Sequence, residues 1–263
     1  MSAESSEAPT ISTVADFITR VRAIKEKQEQ LGNKADLLFR GQPEDKTLLP
    51  RLGRPPNTIR NLQNREKLIF EEFKRTSLPF LELTPKTDWD FLALAQHHGL
   101  PTRLLDWTYS ALTALWVVVG YKHEPDGGAP AGPGVVYVLC PSTKDFNLKT
   151  EETDPFRNDR IRTFVFRPTV VTRRIAAQAG VFTLHRLRDD HKSFMPIKED
   201  LKHGRRLYKI CVPRNQFNDL REELNRLGVN EVALFPDLDG LSKHLDWRYT
   251  QRRRNSDTAK TKG

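Results

Sequence analysis

Residues Ala95 to Tyr121 read AQHHGLPTRLLDWTYSALTALWVVVGY. Two histidines, a glycine, a proline, an arginine, an aspartate and a tryptophan crowd together here, directly before the most apolar helical run of the chain. Charged and polar groups this close to a buried helix are costly to desolvate unless they pair or serve a site. Gly99 ends a helix whose last turn holds Gln96, His97 and His98. Leu100 to Trp107 is then extended, and Thr108 or Ser110 caps an apolar helix from Ala111 to Tyr121.

Upstream, Thr13 and Asp16 form a capping box, and Val14, Phe17, Ile18, Val21 and Ile24 recur on one helical face until Gly32. Asp36 to Gly41, DLLFRG, is a short strand that brings Arg40 to the edge of a loop. The Pro-rich stretch Gln42 to Asn57 is that loop. A helical stripe of Ile59, Leu62, Ile69, Phe70 and Phe73 follows, and Thr87 with Asp90 opens the helix that reaches His98. Downstream, HEPDGGAPAGPG is a loop by composition. Val135 to Cys140, Val181 to Leu184, Leu207 to Val212 and Glu231 to Phe235 read as strands. Phe217, Leu220, Leu224 and Leu227 mark a helix closed by Gly228, and a short helix follows Pro236 to Gly240. These elements predict an α+β domain with a mixed central sheet and surrounding helices over 11–247, a flexible lead over 1–10 and a basic flexible tail over 248–263.

The 263 residues are 37 % hydrophobic and 29 % charged, an ordinary globular composition. The longest apolar run is far shorter than the roughly 18 to 20 residues that span a bilayer, and MSAESSEAPT lacks an apolar signal core, so the expected compartment is the cytoplasm. Cys140 and Cys211 stand apart in strand-like runs and read as small buried hydrophobes. The net charge of +9 permits a polyanionic partner, with Arg248, Arg252, Arg253 and Arg254 in the tail as candidate nucleic-acid contacts.

Adjacent histidines on a helix diverge by about 100 degrees, which argues against a metal at His97 and His98. An imidazole there serves a ligand or loop, or is satisfied by helix-end carbonyls. Arg103 and Asp106 point to opposite faces of a regular strand and need separate partners. Asp106 is either a site residue or a structural carboxylate at the start of the buried helix. Arg40 beside Gly41 suits an anionic group, with a buried pairing to Asp106 as the alternative. Gln178 before Gly180 either reads a ligand or forms a turn, and Asp237 and Asp239 either perform acid/base chemistry or cap the last helix. There is no P-loop, serine elbow, zinc signature or dinucleotide-binding glycine fingerprint.

Phe39-Arg40-Gly41-Gln42, Leu49-Pro50-Arg51, Ala95 to Thr108, Gln178 to Phe182 and Leu234 to Leu241 together resemble the FRG domain family, in order, over Leu37 to Leu245. The layout also resembles that of ADP-ribosyltransferases, with an early strand bearing an arginine, a second strand leading into a helix of small residues, and later strands near a polar catalytic position. The resemblance implies that NAD is the substrate, and no metal is expected on the spacing of the histidines. Arg40 would hold NAD with Thr108 or Ser110, lined by Gly41, Gln42, His97, His98, Arg103 and Phe182. The Glu-x-Glu or Gln-x-Glu pair of those enzymes is missing, and an amide at Gln178 cannot replace its charge. The catalytic carboxylate would then be Asp106, Asp237 or Asp239. The implied activity is transfer of ADP-ribose to a nucleic-acid or protein acceptor in a toxin or antiphage setting, with a cognate antitoxin or regulator. The competing expectation is a non-enzymatic module that binds a nucleotide, nucleic acid or partner protein.

Overall fold

The computed structural model describes residues 10–54, 61–81, 83–120, 132–146, 153–157, 162–168, 177–188, 192–200 and 206–251. Strands β1 (Leu38–Gln42), β2 (Leu104–Thr108), β3 (Gly134–Leu139), β4 (Phe164–Phe166), β5 (Gly180–Leu184) and β6 (Leu207–Val212) form one sheet in the order β4-β5-β2-β1-β3-β6. Eight α-helices accompany it among the described residues. They are α1 (Val14–Gln30), α2 (Leu62–Ser77), α3 (Asp88–His97), α4 (Ala111–Val119), α5 (Ile197–Asp200), α6 (Phe217–Arg226), α7 (Glu231–Leu234) and α8 (Leu238–Asp246). The α+β class holds, and the sheet expected to be mixed is antiparallel throughout.

Five of the helices start where a side chain caps them. Thr13 and Asp16 form the reciprocal box of α1, Thr87 accepts from the Asp90 amide at α3, and Ser110 accepts from the Thr113 amide at α4. These oxygens satisfy amides that the first helical turn leaves without partners. Glu231 to Phe235 is the one expected strand that folds otherwise. Its apolar run is too short for periodicity to decide, and the Asn230 side chain accepts from the Ala233 amide and starts a helical turn instead. Strand β4, three residues long, is an edge strand below the length at which alternation can be read. Residues 248–251 of the expected tail continue a helical turn after α8, while Arg252, Arg253 and Arg254 lie outside the described residues, as do residues 1–9 and Tyr121. No helix among the described residues is long and apolar enough to cross a membrane.

Two separate cores sit on one face of the sheet. Helices α1, α4 and α6 pack Phe17, Leu115, Val118 and Leu220 onto Phe39, Val136, Val138 and Ile210 of β1, β3 and β6. Helices α2 and α3 pack Phe70, Trp89 and Leu92 onto Leu104, Phe166, Phe182 and Leu184 of β2, β4 and β5. The opposite face is covered by a third cluster that includes Leu38, Leu48, Leu105, Trp107, Val181 and Ile197. The strip of sheet between the first two cores is left for something other than packing.

The entry to β2 is held by a buried ion pair. Arg103 and Glu66 of α2 are 1 % and 2 % exposed, and Arg103 donates through its backbone amide, Nε and Nη2 to the Glu66 carboxylate at 2.6–3.1 Å. Nη1 donates to the Pro155 carbonyl, and Phe156 and Phe194 cover the guanidinium. Arg103 therefore lies in the interior and not in a ligand site, which corrects that expectation. Its separation from Asp106 agrees with the strand geometry.

Removing one member of such a pair strands a buried charge and costs roughly 3 to 5 kcal/mol. Glu66→Gln is expected to lower unfolding stability by that amount in urea melts, far more than Glu72→Gln on the exposed face of α2.

Candidate functional site

The unpacked strip forms the floor of a cleft of about 660 Å3. In the β2–β5 register Leu104 stands opposite Leu184, Asp106 opposite Phe182 and Thr108 opposite Gly180, and Thr108 is opposite Phe39 of β1. Side chains alternate along a strand, so Leu104, Asp106 and Thr108 share a face. Leu104 belongs to one core and Phe39 to the other, which leaves Asp106 and Thr108 between them. One wall is the end of α3 with Gln96, His97, His98 and Gly99, and the other is α4 with Thr113, Ala114 and Val117.

Glycine at position 41 sets how close that second wall comes. A Cβ there would lie 2.0 Å from the carbonyl oxygen of Ala114, so α4 rests directly on the backbone of β1. Gly99, at φ +83°, lets the chain leave α3 sharply and bring the two histidine rings to the rim, edge to face at 5.0 Å.

Strands β1 and β2 pair only at Phe39 and Thr108, whereas β1 and β3 pair along the whole of β1. Arg40 crosses the gap. Its Nη1 donates to the main-chain carbonyl of Asp106 at 2.8 Å and reaches the carboxylate Oδ2 at 3.5 Å. The guanidinium thus replaces a missing ladder bond. Arg40 is 14 % and Asp106 54 % exposed, so this is a carbonyl clamp with a half-open ion pair, not the sealed pair weighed from the sequence. Burial holds the Arg40 pKa below its ordinary value, Asp106 opposes that shift, and nearby Arg54 adds to it. Nε of Arg40 is buried without a hydrogen-bond partner.

Asp106 lies within β2, not at the start of α4, so it is no helix cap. A relay fixes its other side. Thr102 donates its hydroxyl proton to Oε1 of Gln96 at 2.7 Å, which turns Nε2 of Gln96 to donate to Oδ2 of Asp106 at 3.0 Å. Thr108 donates to the Gln178 carbonyl and accepts from the Ser110 amide, so toward a ligand it can act only as an acceptor.

The cleft brings together Arg40, Gly41, His97, His98, Asp106, Thr108, Gln178 and Phe182 from the sequence candidates. Besides the buried Arg103, four of the candidates for the NAD site lie outside its lining. Gln42 accepts from the Lys46 amide, Ser110 caps α4, Asp237 caps α8 by accepting from the Gly240 amide at 2.7 Å, and Asp239 is exposed on that helix. Gln178 spends its amide on the carbonyl of Leu234 at 3.1 Å, so it joins β5 to the end of α7. No cluster of metal-ligating side chains occurs among the described residues. Sequence reasoning missed Gln96, Val117 and Phe235 as lining residues, and Glu66 as the partner of Arg103. Glu66 had a readable signal: it stands in line with Leu62 and Phe70 at helical spacing, a carboxylate on a buried stripe.

Behind the floor, Trp107 Nε1 donates to Thr183 Oγ1 at 3.0 Å, and the Thr183 hydroxyl faces Nε2 of His185 at 3.3 Å. Nδ1 of His185 meets the Met195 carbonyl at 2.9 Å. A carbonyl only accepts, so Nδ1 carries the proton and Nε2 accepts from Thr183. Burial keeps this imidazole neutral and lowers its pKa to about 4, against the Met195 bond, with Arg40 adding to the shift.

Residues 35–127 match the family model of the FRG domain. The matched segment runs from just before β1 to beyond α4 and contains Arg40, Asp106, Thr108 and both cleft walls. Gln178, Phe182 and Phe235 complete the lining from outside the matched segment. No curated protein and no solved structure matches the chain.

Two outcomes follow from this geometry. Arg40→Met is expected to cost about 1 to 3 kcal/mol for the lost charged hydrogen bond, and adding Asp106→Asn should not recover it, because the main acceptor is a carbonyl. Thermal melts of the single and double variants check this. His185 titrates lower in the folded chain than in the unfolded one, so between pH 6.5 and about 4 the unfolded state takes up the proton first. Stability from this residue is therefore intact above pH 6.5 and falls toward pH 4, by about 3 kcal/mol in all. His185→Gln should flatten that slope in urea melts across the same range.

Proposed function

We propose that the cleft binds NAD and cleaves its nicotinamide–ribose bond, passing ADP-ribose to a macromolecular acceptor. The observation that carries this reading is Asp106, the sole carboxylate residue in the cleft lining among the described residues, half exposed on the floor and oriented by Gln96 and Arg40. A carboxylate fixed in this way stabilises positive charge that develops at the ribose carbon when the bond breaks. Both electrons of that bond leave with nicotinamide, which departs neutral. A lone pair of the acceptor then forms the new bond to the same carbon, and the acceptor's proton passes to an imidazole of the His97–His98 pair or to water.

The remaining lining fits the parts of such a substrate. Phe182 and Phe235 offer apolar surface to a flat ring, and Arg40 brings positive charge beside the floor. The net charge of +9 and the arginines from 248 onward favour a nucleic acid as acceptor. One observation favours the second reading, binding without chemistry. Strand β5 opens on Gly180 behind a Gln178 whose amide is already engaged, so no carboxylate stands where transferases of this layout carry one.

Incubation with labelled NAD, total RNA, DNA and cell protein separates the two readings. Release of nicotinamide with label on one acceptor class is expected, and Asp106→Asn should lower turnover about a hundredfold or more while the melt is unchanged. Absence of nicotinamide release from the unaltered protein would leave only the binding module.

A further inference from the structure

The turn that follows β1 brings more positive charge to the mouth of the cleft. Arg51–Gly53 is a single 3₁₀ turn whose Leu52 is buried in a small core with Leu62, Leu187 and Phe194. Gly53 is pressed so closely on Phe194 that a Cβ would lie 2.7 Å from its ring. The turn is thereby pinned, while Arg51 and Arg54 stay exposed. Nη1 of Arg51 donates to the carbonyl of Gly99 at 2.9 Å, and Gly99 is part of the cleft wall. Nε of Arg54 donates to the carbonyl of Leu49 at 3.0 Å, which fixes its stem and leaves both terminal nitrogens for another acceptor.

Neither arginine forms an ion pair among the described residues. Partial desolvation, opposed by Asp106 and reinforced by Arg51, sets the pKa of Arg54 below its ordinary value, and Arg54 in turn lowers that of Arg40. Arg40 and Arg54 thus share one carboxylate, with Arg51 adding its charge beside Arg54, an excess of positive charge that an anion would relieve. Ordinary surface arginines are solvated and free to turn. These two are tied to backbone carbonyls, so little side-chain freedom is left to lose on binding.

We propose that Arg51 and Arg54 form a clamp at the mouth of the cleft that takes the diphosphate of a nucleotide ligand whose sugar lies on the floor beside Asp106. This rests on the cleft being a nucleotide site, though not on any bond being broken there. The planar fork of each guanidinium can meet two phosphate oxygens at once. Arg40, committed to the carbonyl of Asp106, is left to orient the floor.

The test is calorimetric titration of the full chain with ADP-ribose, which carries the diphosphate, and with nicotinamide riboside, which lacks it. Arg51→Gln with Arg54→Gln is expected to weaken ADP-ribose binding by about tenfold or more and to leave nicotinamide riboside unaffected. Inorganic pyrophosphate should displace ADP-ribose from the unaltered protein, a measurement independent of whether the variant folds. Unchanged ADP-ribose affinity in a folded double variant, or failure of pyrophosphate to compete, overturns the clamp. ADP-ribose bound through these arginines without nicotinamide release from NAD would keep the clamp and discard catalysis. Cleavage of NAD that the double variant leaves untouched in KM would do the reverse.

Discussion

A guanidinium and a carboxylate sealed from water must remain together, and Arg103 with Glu66 imposes that condition on four separate segments. Glu66 belongs to α2, Arg103 to the lead into β2, and the ring of Phe156 and that of Phe194 close over the pair from elsewhere in the chain. The pair's net worth against an apolar substitute is small, but its geometry is demanding. It fixes where β2 begins. The very next residue, Leu104, points into a core, and the following residue on that face is Asp106, which points into the cleft. A slip by one residue would bury the carboxylate and expose Leu105.

Much of this was legible in the chain itself. Capping side chains at Thr13, Thr87 and Ser110 announced three helices, and the length of the apolar runs announced β1, β3, β5 and β6. The gathering of Arg40, the histidines, Asp106 and Thr108 at one place was also readable, because four of these lie within a dozen residues and the fifth stands directly after the apolar residues of β1. What could not be read depends on contacts between distant segments. The carbonyl grip of Arg40 exists because β1 and β2 part after one residue pair, and no local pattern encodes that. The amide of Gln178 is spent on Leu234, fifty-six residues away, and Phe235 reaches the cleft where Asp237 and Asp239 do not.

The polar residues of the cleft divide the labour of holding Asp106. Thr102 orients Gln96, Gln96 approaches the carboxylate from the α3 side, and Arg40 approaches from β1. Each of these side chains has its donors aimed before any ligand arrives, so little reorganisation is asked of the site. Thr108 and Gln178 knit β2 to the turn before β5, where Ala179 sits at φ 47°, an uncommon conformation for a residue with a side chain. The following Gly180 keeps the floor low at that point.

The single rung between β1 and β2 gives the sheet a mechanical character of its own. Strands β4, β5 and β2 form one plate and β1, β3 and β6 another, each ladder-bonded throughout, and the two meet at Phe39 and Thr108. On the cleft side the plates carry different helices and different cores, while the third cluster spans both plates on the opposite face. A molecule lying across the cleft touches both plates. Arg40, rooted in one plate and gripping the other, is the tie between them where the ladder is missing.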